Sequence, residues 1–250
     1  MNGALWLVDC GNTRVRVAAA DVAAGTLGAI DTHAHGRDPE GLVAWLDMRG
    51  GVPDRMVASC VGAEALWVAI RAWAETCGVR LDRFVSPVSA CGVTNAYARP
   101  GDLGADRFAA MIGAFGAGLA PCLIIDAGSA VTIDLLAADG IHHGGAILPG
   151  RSAMVAAIGN STTLHADPAA TPGADFADST PGAIAVGRAF AYCGTLALAL
   201  ERAEALLGLR PRVVCTGGDA AQFTVCPGES VVIEPALVLR GLLRYAAACP

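Results

Sequence analysis

The chain has 250 residues, too many for one minimal domain and suited to two compact halves. Hydrophobic residues make up 54% and charged residues only 16%, so a sizeable core is expected and disorder is not. The formal net charge of −6, with no basic run, argues against nucleic-acid binding, because neutralising phosphates takes clustered Lys and Arg.

The start, Met1-Asn2-Gly3-Ala4-Leu5-Trp6, has no basic flank, and no apolar run reaches membrane-spanning length without a charge or a Gly-rich turn. A cytoplasmic chain without a membrane partner is therefore expected. The nine cysteines are odd in number, scattered and without a Cys-x-x-Cys pair, so free or buried thiols in a reducing compartment are expected rather than a metal site.

In chain order, residues 5–8 and 15–20 read as a hairpin around Cys10-Gly11-Asn12-Thr13. Residues 56–60 follow as a buried strand, 63–76 as a helix, and 103–119 as an Ala- and Gly-rich helix. Residues 122–125 and 131–136 form a second hairpin, and 141–148 a strand ended by Pro149-Gly150. The stretch 167–178 reads as a mobile loop. A long helix over 181–207, with a break near Gly194, precedes a short strand at 213–215 and a closing helix at 237–248. Strands alternating with helices predict an α/β fold. The change of halves is expected near residues 116–121, giving domains of 1–117 and 118–250.

An internal repeat organises the functional reading. Leu7-Val8-Asp9-Cys10-Gly11-Asn12-Thr13 is echoed by Ile124-Ile125-Asp126-Ala127-Gly128-Ser129-Ala130. Each copy is an apolar strand that turns at Asp-x-Gly, and two copies about half a chain apart suggest a duplicated pair of domains facing one cleft. Glycine turns let backbone N–H groups approach phosphate closely, while Asn12, Thr13 and Ser129 add side-chain donors, and Arg14 or Arg16 adds positive charge. A carboxylate beside phosphate repels it unless a cation intervenes, so Asp9 and Asp126 imply bound cations, most simply Mg²⁺. Neither a Walker loop nor a dinucleotide fingerprint is present.

A third segment runs from Asn95 and Tyr97 through Pro100 to Leu103-Gly104-Ala105-Asp106-Arg107. Asp106 opens the expected helix and has the chemistry to accept a proton from a hydroxyl attacking a γ-phosphate. Arg107 suits a substrate carboxylate or developing phosphoryl charge. Read from the residues alone, the activity is phosphoryl transfer to a hydroxyl.

Together these segments resemble the type III pantothenate kinases, of the acetate-kinase/hexokinase/actin-like superfamily. Asp9-Cys-Gly11-Asn12-Thr13-Arg14-Val-Arg16 resembles the family's nucleotide motif, with Arg16 where Lys is usual. The 95–107 segment resembles its substrate motif, and Asp126-x-Gly128-Ser129-Ala130-x-Thr132-x-Asp134 its second phosphate motif, with Ser129 for the commoner Thr. Gly144-Gly145, Pro149-Gly150, Ser179-Thr180, Thr216-Gly217-Gly218-Asp219 and the stretch 237–242 continue the match in order. The resemblance implies two actin-like (ribonuclease H-like) domains, with mixed sheets flanked by helices and an interdomain cleft. It implies ATP-dependent phosphorylation of pantothenate to 4'-phosphopantothenate, the first step of coenzyme A synthesis, by a homodimer. On this analogy Asp9, Cys10, Gly11, Asn12, Thr13, Arg14, Val15, Arg16 and Ser129 contact ATP with its Mg²⁺. Tyr97, Gly104, Ala105, Asp106 and Arg107 hold pantothenate, with Thr180 joining across the dimer interface, and Asp106 is the proton acceptor. Asp126 binds a monovalent cation, K⁺ or NH₄⁺, in place of the Mg²⁺ first inferred there.

Three rival readings exist. Asp31-Thr32-His33-Ala34-His35 carries the His-x-His pattern of zinc amidohydrolases, in which alternate residues face one side. A non-catalytic actin-like regulator would keep the fold, although Asp9, Asp106 and Asp126 are all retained. A sugar or acetate kinase of the same superfamily is disfavoured by the short chain and the 104–107 motif.

Overall fold

The structure, a computed structural model, describes residues 4–173 and 175–249. In chain order the elements are β1 (Leu5–Cys10), β2 (Val15–Asp21), β3 (Thr26–His33), α1 (Pro39–Met48), β4 (Arg55–Cys60), α2 (Glu64–Cys77) and β5 (Arg80–Phe84). The two-residue strands β6 (Ser89–Ala90) and β7 (Val93–Thr94) precede α3 (Ala105–Gly116). Then come β8 (Cys122–Ala127), β9 (Ala130–Leu136), β10 (His142–Pro149), α4 (Arg151–Ser161), α5 (Thr180–Leu207), β11 (Arg212–Thr216), β12 (Val231–Ile233) and α6 (Leu237–Ala248).

The chain divides into two units. The first comprises the described residues through Gly118, Asp139–His142, and the segment from Ala236 onward; the second comprises Leu119–Ala138 and His143–Pro235. Each holds a mixed five-stranded sheet, ordered β3-β2-β1-β4-β5 in the first and β10-β9-β8-β11-β12 in the second. In both, a central strand pairs antiparallel with its hairpin partner on one side and parallel with a later strand on the other.

β1 is buried along its whole length, as a strand covered on both faces must be. Trp6, Val8 and Cys10 face a core made with Leu42 and Leu46 of α1 and Leu66, Ile70 and Trp73 of α2. The opposite face, which carries Asp9, lies against α6, and α3 packs on neighbouring β4. These two helices approach backbone to backbone because each has a glycine at the contact. A Cβ at Gly241 would collide with the Ala109 carbonyl, and one at Gly113 with the Leu237 carbonyl. Arg55 of β4 fixes the end of α6 by donating to the carbonyls of Ala246 (3.3 Å) and Cys249 (2.5 Å). This packing corrects the expected division at 117/118. The helix at 237–248 forms where the sequence places it, but it belongs to the first unit, because its buried face is complementary to α3.

In the second unit, Tyr192, Leu196, Leu200 and Ala203 of α5 form a core with β8, β9 and β11. The expected break near Gly194 is absent: the buried positions continue at intervals of four and three through it, and packing along that face keeps the helix whole. Among the described residues α5 is the one helix long and apolar enough to cross a membrane. Cys193 and Cys226 are joined in a disulfide, which corrects the expectation of free thiols throughout; the stacking of Tyr192 on Phe223 (5.3 Å) brings their segments together. Of the stretch 167–178, Ala174 lies outside the described residues. The remainder is irregular, and buried Arg188 donates to the carbonyls of Pro168 and Ala170.

Candidate active site

The first Asp-x-Gly turn ends β1 at the helix-covered centre of its sheet. Register sets Asp9 opposite Arg16, and the guanidinium donates to Asp9 Oδ2 through Nη2 (2.5 Å) and Nε (3.0 Å). Thus the carboxylate has a protein cation beside it, a partner that the repulsion argument from sequence alone does not supply. Ser59 is Asp9's neighbour in the parallel ladder; it is fully buried, and its hydroxyl has no hydrogen-bond partner in the structure. The side chains of Cys10 and Val15 are buried, so only their main chain is available to a ligand, whereas Asn12, Thr13 and Arg14 are exposed. Cys10 lies beside Cys60 in the same ladder. A hydrogen bond between the two thiols, with burial, holds Cys10 protonated, and the same bond lowers Cys60 against opposing burial, helped by the Gly62 N–H and Arg83.

The 95–107 segment folds into a compact constellation within the first unit. Asn95 organises it: its amide donates to the Pro87 and Pro100 carbonyls, and its Oδ1 accepts from Tyr97 N–H. Arg107, only 6% exposed, donates to Tyr97 Oη at 3.1 Å and lies over the same ring. His142 stacks on the Tyr97 ring, with centroids 6.1 Å apart. Asp106, half-buried in the first turn of α3, accepts from Arg107 N–H at 2.8 Å. A Cβ at Gly104 would lie 2.6 Å from Asp106 Oδ1, so the glycine keeps space open around the carboxylate. A cavity of about 190 Å³ adjoins the segment, lined in part by Cys60, Val61, Ser86, Gly104 and Ala105. Tyr97, Gly104, Asp106 and Arg107 are therefore brought together. Ser86 and His142 were missed by the sequence reading, since neither belongs to a motif.

In the second unit the Asp126 turn is enclosed by glycines. Asp126 faces Thr132 across the hairpin and Thr216 in the parallel ladder. Gly217, with φ of 88°, stands so close that a Cβ would lie 2.5 Å from Asp126 Oδ1. Gly150 N–H donates to the Ser129 carbonyl (3.2 Å), Asp219 N–H to the Ala127 carbonyl (2.9 Å), and Arg151 pairs with Asp219 (2.8 Å). The Pro149-Gly150 and Thr216-Gly217-Gly218-Asp219 stretches thus converge on Asp126 and Ser129. Cys215 next to it is pushed up to about 12, chiefly by burial and further by the Asp126 charge. Thr180 is exposed at the first position of α5.

The zinc reading is not favoured. His33 stacks on Trp45 at 5.2 Å, while His35 is buried and bonded to main chain. No cluster of three or more His, Cys, Asp or Glu suited to a metal ion occurs among the described residues.

Comparison with known proteins bears on the family and the fold. The family model for type III pantothenate kinase matches residues 5–202. A type III pantothenate kinase from Azoarcus sp. strain BH72 is 37% identical, over 98% of this chain and 91% of its own length. Among solved structures, a conserved protein of the Baf family of transcriptional activators from Campylobacter jejuni superposes with a TM-score of 0.64 at 19% identity, covering 97% of this chain and 98% of its own. An archaeal actin homologue does so with a TM-score of 0.54 at 13% identity, covering 99% and 100%. These two likenesses concern the fold alone, which is the mixed α/β, actin-like architecture seen here. With motifs, strand order and full-length relatives in agreement, the chain belongs to the type III pantothenate kinase family.

Proposed function

We propose that the chain transfers the γ-phosphoryl group of ATP to the primary hydroxyl of pantothenate, with Asp106 as proton acceptor. The observation that carries this reading is the constellation at the start of α3, where Asp106 stands beside a buried, Tyr97-bound Arg107. Arg107 offers a fixed cation to the pantothenate carboxylate, and Tyr97 offers an aromatic face and a hydroxyl. As the hydroxyl oxygen bonds to the γ-phosphorus, its proton passes to Asp106 and the bridging oxygen leaves with ADP.

The main chain of residues 9–16 and the exposed side chains of Asn12, Thr13 and Arg14 hold the ATP phosphates, with Ser129 contributing its hydroxyl. Asp9 and the unpartnered Ser59 hydroxyl form an oxygen-only pair that suits the divalent cation accompanying ATP. When bound with ATP, that cation would offset charge developing on the phosphoryl oxygens. Asp126, with Gly217 and Gly128 close to its carboxylate, would hold a monovalent cation, K⁺ or NH₄⁺.

The chain works as a cytoplasmic homodimer. Support comes from the exposed face of α5, where Ala183, Gly187, Phe190, Gly194 and Leu198 make a small and apolar stripe that a second copy would cover. Thr180, at the head of that helix, reaches the partner's pantothenate.

The test is an assay with ATP, Mg²⁺ and pantothenate, with K⁺, NH₄⁺ or neither. Phosphopantothenate is expected only when one of the two cations is present, and its absence under every condition would sink the reading. Asp106→Asn is expected to lower kcat about 10²–10⁴-fold while nucleotide binding persists. Full turnover in that variant would remove Asp106 as the acceptor.

A further inference from the structure

His35, singled out by its His-x-His pattern but unused by the chemistry above, has a defined place in the fold. The residue is 3% exposed. Arg37 N–H donates to its Nδ1 at 3.0 Å, so that nitrogen carries no proton and the ring hydrogen sits on Nε2. Nε2 then donates to the carbonyl of Gly11 at 3.1 Å. The turn that brings Arg37 back to the ring has two successive residues in the left-handed region, Gly36 (φ 55°) and Arg37 (φ 67°). A non-glycine residue held there is unfavourable by about 1 kcal/mol or more, and such positions persist where surrounding contacts demand them.

The consequence for the turn follows from peptide geometry. In a trans peptide the carbonyl of one residue and the N–H of the next point in opposite directions. Drawing the Gly11 carbonyl inward to a buried ring therefore turns the Asn12 N–H outward, to the side on which Asn12, Thr13 and Arg14 are exposed. It also keeps the negative end of that carbonyl away from an incoming anion. Gly62 backs the same carbonyl so closely that a Cβ there would lie 2.7 Å from it, and Val61 N–H takes the preceding Cys10 carbonyl at 3.0 Å. The turn is thus fixed from behind by main chain on one side and on the other by His35, with the adjacent Cys10 thiol as a long contact of 4.0 Å to the same carbonyl.

We propose that His35 is a positioning residue for nucleotide binding: its Nε2–H locks the Gly11–Asn12 peptide with the N–H presented to the phosphates. This rests on the reading that the 9–16 turn takes ATP.

The test compares His35→Leu, which removes the donor, with His35→Gln, whose amide N–H has similar reach. His35→Leu is expected to raise KM for ATP about tenfold, the loss typical of one buried hydrogen bond, with KM for pantothenate unchanged. His35→Gln is expected to stay within about threefold of the native enzyme. An unchanged KM for ATP in His35→Leu, or equal damage in both variants, overturns the proposal. Thr13→Ala separates it from the underlying reading. If Thr13→Ala leaves KM for ATP unchanged, the turn does not hold ATP; if it raises KM and His35→Leu does not, only the role of His35 fails. Should the variants not fold, ¹⁵N-histidine spectra of the native protein decide. One ring in the Nε2–H tautomer, shifting with ADP and not with pantothenate, supports the proposal, and no such shift overturns it.

Discussion

The two Asp-x-Gly hairpins look interchangeable in sequence, yet they surround their carboxylates differently. In the first, four residues separate the paired positions Cys10 and Val15; in the second, three separate Ala127 and Val131. What lies across the ladder from the aspartate differs as well: Arg16 opposite Asp9, but Thr132 opposite Asp126. The first carboxylate is held by an ion pair within the hairpin, while Gly217 stands close against the second. The turns are also fixed by different means, a side chain for the Gly11 carbonyl and the Gly150 N–H for the Ser129 carbonyl. A duplicated turn can thus diverge in electrostatics through the residue that faces the aspartate, without losing its aspartate or its glycine.

The sharpest way to break this comparison is to remove the facing residue in each hairpin. Arg16→Met leaves Asp9, whose side chain is 8% exposed, without its cation, and should destabilise the first unit by about 3 kcal/mol. Thr132→Val should cost below about 1 kcal/mol. Urea unfolding of both variants checks the contrast, and equal losses would mean that the register difference has no energetic weight.

Adding a methyl group behind each turn has a smaller expected effect. Gly150→Ala drives a Cβ into the carbonyls of Gly128 and Ser129, while Gly62→Ala meets the Gly11 carbonyl and the movable end of Leu66. Losses of about 2–3 and 1–2 kcal/mol are expected, read as shifts of the urea midpoint. A more damaged Gly62 variant would reverse the ranking of the two supports.

The smallest effect concerns pH. Burial pushes the thiols of Cys122 and Cys215, both in the second sheet, up to about 12. In the unfolded chain they ionise near 9, so from there upward the unfolded state releases protons that the native state retains, and stability falls as pH rises. At pH 9.5 the two thiols together should lower stability by about 1–2 kcal/mol relative to pH 8. Calorimetry on the native chain and a Cys122→Ala/Cys215→Ala variant, at both pH values, measures it; an equal pH response in the two would discount these thiols.

Much of the fold was legible where local signals and burial agree. Both hairpins, β4, α2, α3, β11 and α6 follow from apolar runs bounded by turn residues. α1 has its own signals, an Asp38 cap and Pro39 at the start, but only Leu42 and Leu46 are buried, so its periodicity is weak. α4 buries Val155 alone, and β3 is mostly exposed, leaving little pattern to read. In the site, aspartates and glycines were visible because their spacing repeats or follows a family motif. The Arg16–Asp9 pair was hidden because it depends on register across a loop, and the role of His35 because it depends on tautomer and on contact between distant segments. The residues of α6 were readable, but its partner was not, since two glycines on separate helices reveal their close approach only in three dimensions.

The placement of α6 bears on how the molecule is made. A ribosome finishes the whole stretch from Leu119 to Pro235 before it releases the helix that completes the first unit's core. The earlier-synthesised unit is therefore the later one to close. During translation, the apolar face of α3 must wait for α6, and that interval is when chaperones would have most to protect.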